Sequence, residues 1–219
     1  MESQLIEQIK NSKYQHFNEL GECLMKSENP GKDLLHEGYM RRCYATINSK
    51  LRDRNLADKE NNLFQDIEEV LNNELDNLES HNNKLVFHDE CRFIEDCQEK
   101  KVFNWFRNSI GKVICFPAFM SCYSEIKRLP QGSALIFEIK TSSASRAFNL
   151  NKVQPNHPEQ EVLYKSKSCF KIIEVNENNH SVQLEEINSS PDLTIFNNEE
   201  YFALCRKKED EQTHYYNDI

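Results

Sequence analysis

Apolar residues recur every three or four positions up to about residue 111, then every other position, and the pattern does not switch back. A helix repeats every 3.6 residues and a strand every two, so this chain lays down its helices first and its strands afterwards. Alternating βαβ units need the two interleaved. The order therefore selects an α+β architecture, a helical N-terminal part followed by a mainly antiparallel β core. In the helical part Leu5, Ile9, Phe17, Leu20 and Leu24 form one stripe, and ENPG at 28–31 interrupts it. A helix is expected over 33–52, with Leu34, Leu35, Tyr39, Cys43, Ile47 and Leu51 on its buried face. Leu63, Ile67, Val70, Leu71, Leu75 and Leu78 predict another, which SHNNK ends. After the short apolar run LVF at 85–87, Val102, Trp105, Phe106 and Ile110 line one more helix, closed by Gly111. KVICFPAFMSC, ALIFEIK, EVLYKS, CFKIIEV, SVQLEEI and EYFALC then read as strands, separated by turn-formers such as LPQGS, NENNH and NSSPD. The division expected is a helical region at 1–80, a β core at 81–206 and a polar tail at 207–219.

The net charge of −9 argues against a general binder of nucleic acid or anionic membrane, although Lys165, Lys167 and Lys171 leave room for a local basic patch. No run of eighteen apolar residues occurs, and MESQLIEQIKNSK has no basic stretch leading into an apolar one, so neither a membrane span nor a signal peptide is expected. Eight cysteines form no CxxC pair, and several sit inside apolar runs; free buried thiols in a reducing, cytoplasmic setting are expected. His88, Cys91 and Cys97 lack a fourth ligand at matching spacing, so no metal is expected. With five glycines and no GxGxxG or phosphate-loop pattern, a dinucleotide would bind by some other route.

Two carboxylates open the strand in PEQEVLYKS. Glu159 and Glu161 share a face if extended geometry begins that early, and like charges so placed repel unless something cationic comes between them. Taken alone the pair is weak, because other acidic pairs such as Glu185–Glu186 read as solvated surface. Its context is more specific. LVFHDE at 85–90, FPAFMSCYSE at 116–125 and PEQEVLYKSKSCFKI at 158–172, in that order, resemble the mono-ADP-ribosyltransferase family of arginine-modifying ecto-enzymes and toxins. GYMRRCYATINSKLR upstream resembles the family's signature helix.

The resemblance implies a two-sheet NAD-binding core and a glycosyltransferase that takes NAD as substrate and a protein as acceptor. In that light Glu161 is the catalytic carboxylate, Glu159 the upstream one that goes with arginine acceptors, and Ser121 the residue that braces Glu161. His88 occupies the slot of the family's arginine and would hold the adenosine-side ribose or a phosphate. Cys122 and Tyr123 stand where the family has the rest of a Ser-Thr-Ser step. Tyr123 or Phe137 would stack on nicotinamide, Arg128 or Lys127 would meet a phosphate, and the long polar segment Ser142–Glu161 would recognise the acceptor. Neither membrane nor nucleic acid is implied as a partner. The chain would act in the cytoplasm, or as a secreted effector in a host cytosol. The departures at His88 and Cys122–Tyr123 keep two alternatives open: a catalytically inactive binding module of the same fold, and an NAD glycohydrolase.

Overall fold

The computed structural model describes residues 3–52, 58–91, 96–129, 135–153 and 161–188. The first apolar stripe is divided between two helices, α1 (Ser3–Lys10) and α2 (Gln15–Leu24), which pack against each other. They meet at Gly21, where a Cβ would lie 2.5 Å from the Lys10 Cα, so only glycine permits the approach. Asn29 caps the short α3 (Pro30–Asp33), its side chain accepting from the Lys32 amide at 3.3 Å with proline at the first helical position. Instead of one regular helix over 33–52, the chain winds as a π-helix through Leu34–Cys43 and resumes α geometry in α4 (Tyr44–Arg52). The expected face still turns inward at Leu34, Leu35, Tyr39, Cys43 and Ile47. In α5 (Asp58–Asp76) Ile67, Leu71 and Leu75 are buried on one face, as their spacing predicts.

The strands are β1 (Leu85–Cys91), β2 (Val113–Phe116), β3 (Met120–Tyr123), β4 (Leu135–Lys140), β5 (Ala147–Asn149), β6 (Glu161–Tyr164), β7 (Ser168–Asn176) and β8 (Ser181–Ile187). Between β1 and β2 runs α6 (Asp96–Arg107), which buries Val102, Trp105 and Phe106; Ile110, expected on that face, lies past its end and is exposed. Gly111 turns the chain at a φ of +85°, and its amide donates to the Ile172 carbonyl at 2.8 Å. The strands follow the order β2-β7-β8-β4-β1-β3-β6-β5, antiparallel throughout except for β4 beside β8. Five strands and three strands make two halves, joined where β1 meets β3 through the single pairing Phe87 with Tyr123. The run KVICFPAFMSC, one apolar stretch in sequence, is broken at Pro117 into β2 at one sheet edge and β3 in the other half.

Alternation along β3 and β6 sends side chains to two cores. Met120, Cys122, Val162 and Tyr164 join Phe106, Phe116, Phe137 and Phe170 on one face. Phe119 and Leu163 join the helices on the other, with Phe148 and Leu150.

Several expectations fail for reasons of this geometry. Cys115 and Cys169 face each other across β2 and β7 and form a disulfide; only the sheet brings residues 54 apart together, so the free-thiol reading is wrong for this pair. Cys43 is a free buried thiol, pushed up to about 12 by burial. The first part of the supposed recognition loop is structural. Ser142 and Arg146 amides donate to Glu186 at 2.9 and 2.7 Å, the Ser145 hydroxyl at 2.6 Å, and the chain then enters β5 and a 3₁₀ turn at Leu150–Lys152. Glu186 is therefore a buried anchor, 3% exposed, while its neighbour Glu185 faces Lys140 at the surface. Of the three lysines at 165–171, Lys165 pairs with Asp76 and Lys167 with Glu68, both from α5, which leaves little of a basic patch. The strand expected at EYFALC and the polar tail at 207–219 lie outside the described residues.

Candidate active site

Ser121 and Glu161 come from neighbouring strands. In the β3–β6 register Ser121 stands opposite Leu163 and Tyr123 opposite Glu161, so all four share the face turned toward the helices. There the Ser121 hydroxyl donates to Glu161 Oε1. Both side chains are partly exposed, so the carboxylate is held by the protein yet reachable from solvent.

His88 completes the group from the third strand. Beyond the Phe87–Tyr123 pairing, β1 and β3 part, and Ser121 loses the backbone partner that a continued ladder would supply. The His88 ring replaces it, with Nδ1–H donating to the Ser121 carbonyl at 2.6 Å. A carbonyl can only accept, so the proton is on Nδ1. One face of the imidazole lies near the Phe137 ring, with centroids 5.9 Å apart.

The helices pack against the sheet beside this group. Tyr39 of the π-helix packs edge-on against Phe119, two residues before Ser121, at 5.2 Å between centroids. Its hydroxyl accepts from Asn48 Nδ2 at 3.0 Å. Burial raises the Tyr39 pKa well above its ordinary value; the Asn48 hydrogen bond opposes this, the Glu161 carboxylate adds to it, and the Arg52 guanidinium opposes it. Sequence reasoning placed Tyr39 on the buried helix face and all three in the stretch that resembles the family's signature helix, but gave none of them a place beside Glu161. Nine residues of regular helix are about two and a half turns, which would set Tyr39 and Asn48 on opposite sides; the π winding brings them together.

The remaining expected residues divide. Tyr123 is partly exposed beside Glu161, and Arg128 ends a 3₁₀ turn at Ile126–Arg128, with Nε 3.9 Å from Glu125. Lys127 pairs with Glu125 at 2.7 Å. Phe137 is 0% exposed, its ring enclosed by Phe106, Phe116 and His88, so it presents no face on which nicotinamide stacks. Cys122 is likewise buried in the inner core. Glu159 lies outside the described residues. Among the described residues no three His, Cys, Asp or Glu side chains cluster as metal ligands, and no helix is long and apolar enough to cross a membrane.

The model of the ADP-ribosyltransferase exoenzyme family matches residues 7–192. Comparison with curated protein sequences returns no match. Solved structures share the fold at low identity. The ADP-ribosyltransferase Vis, the toxin of Vibrio splendidus, in its complex with agmatine, superposes with a TM-score of 0.58 at 16% identity, covering 88% of this chain and 87% of that one. The C3 exoenzyme of Clostridium limosum gives 0.58 at 16% identity, over 82% and 97% of the two chains. The ADP-ribosylating toxin BECa of C. perfringens, solved with NADH, gives 0.56 at 15% identity, over 78% and 46%.

Proposed function

The chain belongs to the ADP-ribosyltransferase exoenzyme family of NAD-dependent transferases, and from that premise we propose that it transfers ADP-ribose from NAD to an arginine side chain of a protein, with Glu161 as its catalytic carboxylate. The observation that carries this reading is the three-strand linkage in which His88 holds the Ser121 main chain and the Ser121 hydroxyl holds Glu161.

In the reaction the bond between ribose C1′ and the nicotinamide nitrogen breaks, and its electron pair leaves with neutral nicotinamide. The sugar passes through an oxocarbenium-like cation, as in glycoside cleavage. Glu161 accepts a hydrogen bond from the nicotinamide ribose and lays its negative charge beside the developing positive one. Ser121 keeps that carboxylate in one orientation, so little reorganisation accompanies bond breaking. His88, with its proton committed to the Ser121 carbonyl, turns Nε2 as an acceptor toward a hydroxyl of the adenosine-side ribose. Tyr123, opposite Glu161 in the sheet, offers its ring to nicotinamide. Arg52 and Arg128 supply the positive charge for the diphosphate.

The arginine acceptor is supported by Glu159, two residues before Glu161 in the strand-opening sequence. A guanidinium holds its proton to a pKa of roughly 12 or above, so a second carboxylate as base has clear value. After the proton passes to Glu159, the guanidine nitrogen forms the new bond to C1′. The agmatine complex of Vis adds a guanidine bound by a protein of the same fold. The Cys115–Cys169 disulfide suits a chain that spends time in an oxidising compartment, which supports a secreted effector over a resident cytoplasmic enzyme.

The test is incubation with NAD and agmatine, following nicotinamide release and adduct mass. We expect an ADP-ribosyl adduct that Glu161→Gln abolishes and a shift toward plain NAD hydrolysis in Glu159→Gln. Nicotinamide release without an adduct would identify a glycohydrolase. No release from the wild-type protein would leave the inactive binding module standing.

A further inference from the structure

The groups of the candidate active site stand on different halves of the sheet. His88 belongs to β1 in the larger half, whereas Ser121 and Glu161 belong to β3 and β6 in the smaller one. Pairing between the described strands joins these halves at Phe87 with Tyr123 alone, and the His88–Ser121 bond lies at the same seam. The inner faces share one apolar core, with Val182 and Leu184 of β8 from the larger half and Ala147, Val162 and Tyr164 from the smaller. Apolar packing has no direction, so it holds the halves together without fixing the angle between them. A tie remote from the seam is what sets that angle.

Glu186 and Arg146 build such a tie. Glu186 points inward from β8 on the face of Val182 and Leu184, and its buried carboxylate accepts from the Ser142 and Arg146 amides at 2.9 and 2.7 Å and from the Ser145 hydroxyl at 2.6 Å. These donors lead directly into β5, the edge strand of the smaller half. Main-chain bonds with Glu79 and His81 cover the outer edge of β5, and Glu186 holds its start from within. Arg146 carries the link on to β6. Its carbonyl accepts from the Lys165 amide at 3.0 Å, and its guanidinium donates to the Ser166 carbonyl at 2.8 Å and the Ser168 hydroxyl at 3.3 Å. Lys165 and Ser166 follow β6, and Ser168 opens β7 in the larger half. Two side chains thus fasten β7 and β8 to both β5 and β6.

The same turn is gripped from the helices. Asn72 Nδ2 donates to the Ser166 hydroxyl at 2.8 Å, between the Lys165–Asp76 and Lys167–Glu68 pairs. Glu68, Asn72 and Asp76 recur every four residues along α5, so one polar stripe meets three consecutive turn residues. Burying the Glu186 carboxylate is costly, and an apolar side chain would fill the space more cheaply. What the carboxylate adds is direction, because hydrogen bonds confine their partners to one geometry.

We propose that Glu186 and Arg146 are positioning residues for the transfer reaction, a clasp that fixes the angle between the halves and so aims Glu161 relative to His88. The inference rests on the reading that Glu161 is the catalytic carboxylate, and neither residue of the clasp has to touch NAD.

The test compares Glu186→Gln and Arg146→Met with the Cys115→Ser, Cys169→Ser variant, which weakens the sheet without touching the clasp. The first readout needs no activity. The His88 Nδ1 proton, held on the Ser121 carbonyl, is followed by ¹⁵N-edited NMR of the full chain without NAD, with His88→Gln identifying its signal. That signal should shift or broaden in both clasp variants and stay in place in the disulfide variant. The second readout is nicotinamide release well below each variant's melting range. In the clasp variants kcat should fall about tenfold with the NAD KM within about twofold of wild type, the mark of a misaimed group in a site that still binds. Arg146→Lys, which restores one donor, should recover part of the loss, and the disulfide variant should keep the wild-type kcat. An unmoved His88 proton, a wild-type kcat in folded Arg146→Met, or an equal loss in the disulfide variant overturns the proposal. Where Glu186→Gln does not fold, Arg146→Met decides, because its side chain is partly exposed. Absence of nicotinamide release from the wild-type protein counts against the enzymatic reading, and the His88 signal then decides the clasp by itself.

Discussion

A carboxylate proposed to stabilise a cation must stay ionised and aimed, and at the scale of single residues the Ser121 hydroxyl donates to Glu161 while His88 holds the Ser121 carbonyl. Ser121→Ala removes a hydrogen bond to a charged group, so kcat should fall about ten- to a hundredfold with little change in thermal stability. Glu161→Gln keeps the shape and removes the charge; a loss of about a hundred- to a thousandfold is expected. Wild-type activity in both variants would place the site elsewhere. Histidines also set a pH limit. Burial is the main cause holding His16 and His81 below the ordinary 6.5. The unfolded chain therefore takes up protons below pH 6.5 more readily than the folded one, and stability present above that pH is lost as the pH falls. The midpoint of thermal unfolding should drop as the pH falls below the ordinary 6.5, and a double His16→Gln, His81→Gln variant should show a flatter profile.

Elements are held in register by a few buried anchors. Glu186 in β8 gathers three donors from the turn before β5, and β5 in turn flanks β6, which carries Glu161. Burial, and then the Glu186 carboxylate, raise the pKa of the Tyr164 hydroxyl beside it. Glu186→Gln puts an amide donor where main-chain donors converge, and should cost about 1–3 kcal/mol in denaturant unfolding. The α1–α2 contact is equally specific. Gly21→Ala would drive a methyl group into the Lys10 backbone, so α1 must shift or detach, at about 1–3 kcal/mol. A neutral result at Gly21 would show that α1 has somewhere else to pack.

Over the whole molecule the sheet is two halves that meet at one residue pair, and Ser121 and Glu161 stand on the strands of the smaller half beside that seam. The N-terminal helices pack on Phe119, Phe148, Leu150 and Leu163, while α6 joins the core on the other face of the sheet. Lys165 with Asp76, Lys167 with Glu68, and Asn72 with Ser166 add polar ties between α5 and the β6–β7 turn. The Cys115–Cys169 disulfide pins edge strand β2, the far end of the sheet. Closing a loop of 54 residues, it should contribute about 2–4 kcal/mol, read as a lower unfolding midpoint in reductant or in a Cys115→Ser, Cys169→Ser variant. Because the disulfide lies away from Glu161, transfer activity below the melting range should survive that change.

What the linear chain determined by itself was everything that depends on periodicity and local spacing. The change from a three-to-four period to a period of two set helices before strands. Alternation put Glu159 and Glu161 on one expected strand face, and the order of His88, Ser121 and Glu161 along the chain carried the family resemblance. Short-range physics suffices there, because the pattern and the structure involve the same few neighbours. Tertiary structure alone decided which residues far apart in sequence meet. It split one apolar run at Pro117 between the two halves, paired two cysteines that read as thiols, and buried Glu186 although its sequence looks like surface. It took Phe137 out of reach of a ligand and used the π winding of Leu34–Cys43 to turn Tyr39 toward Asn48 and Phe119. Those outcomes depend on sheet order, register and helix winding, which are set by the packing of whole elements and leave no local period in the sequence.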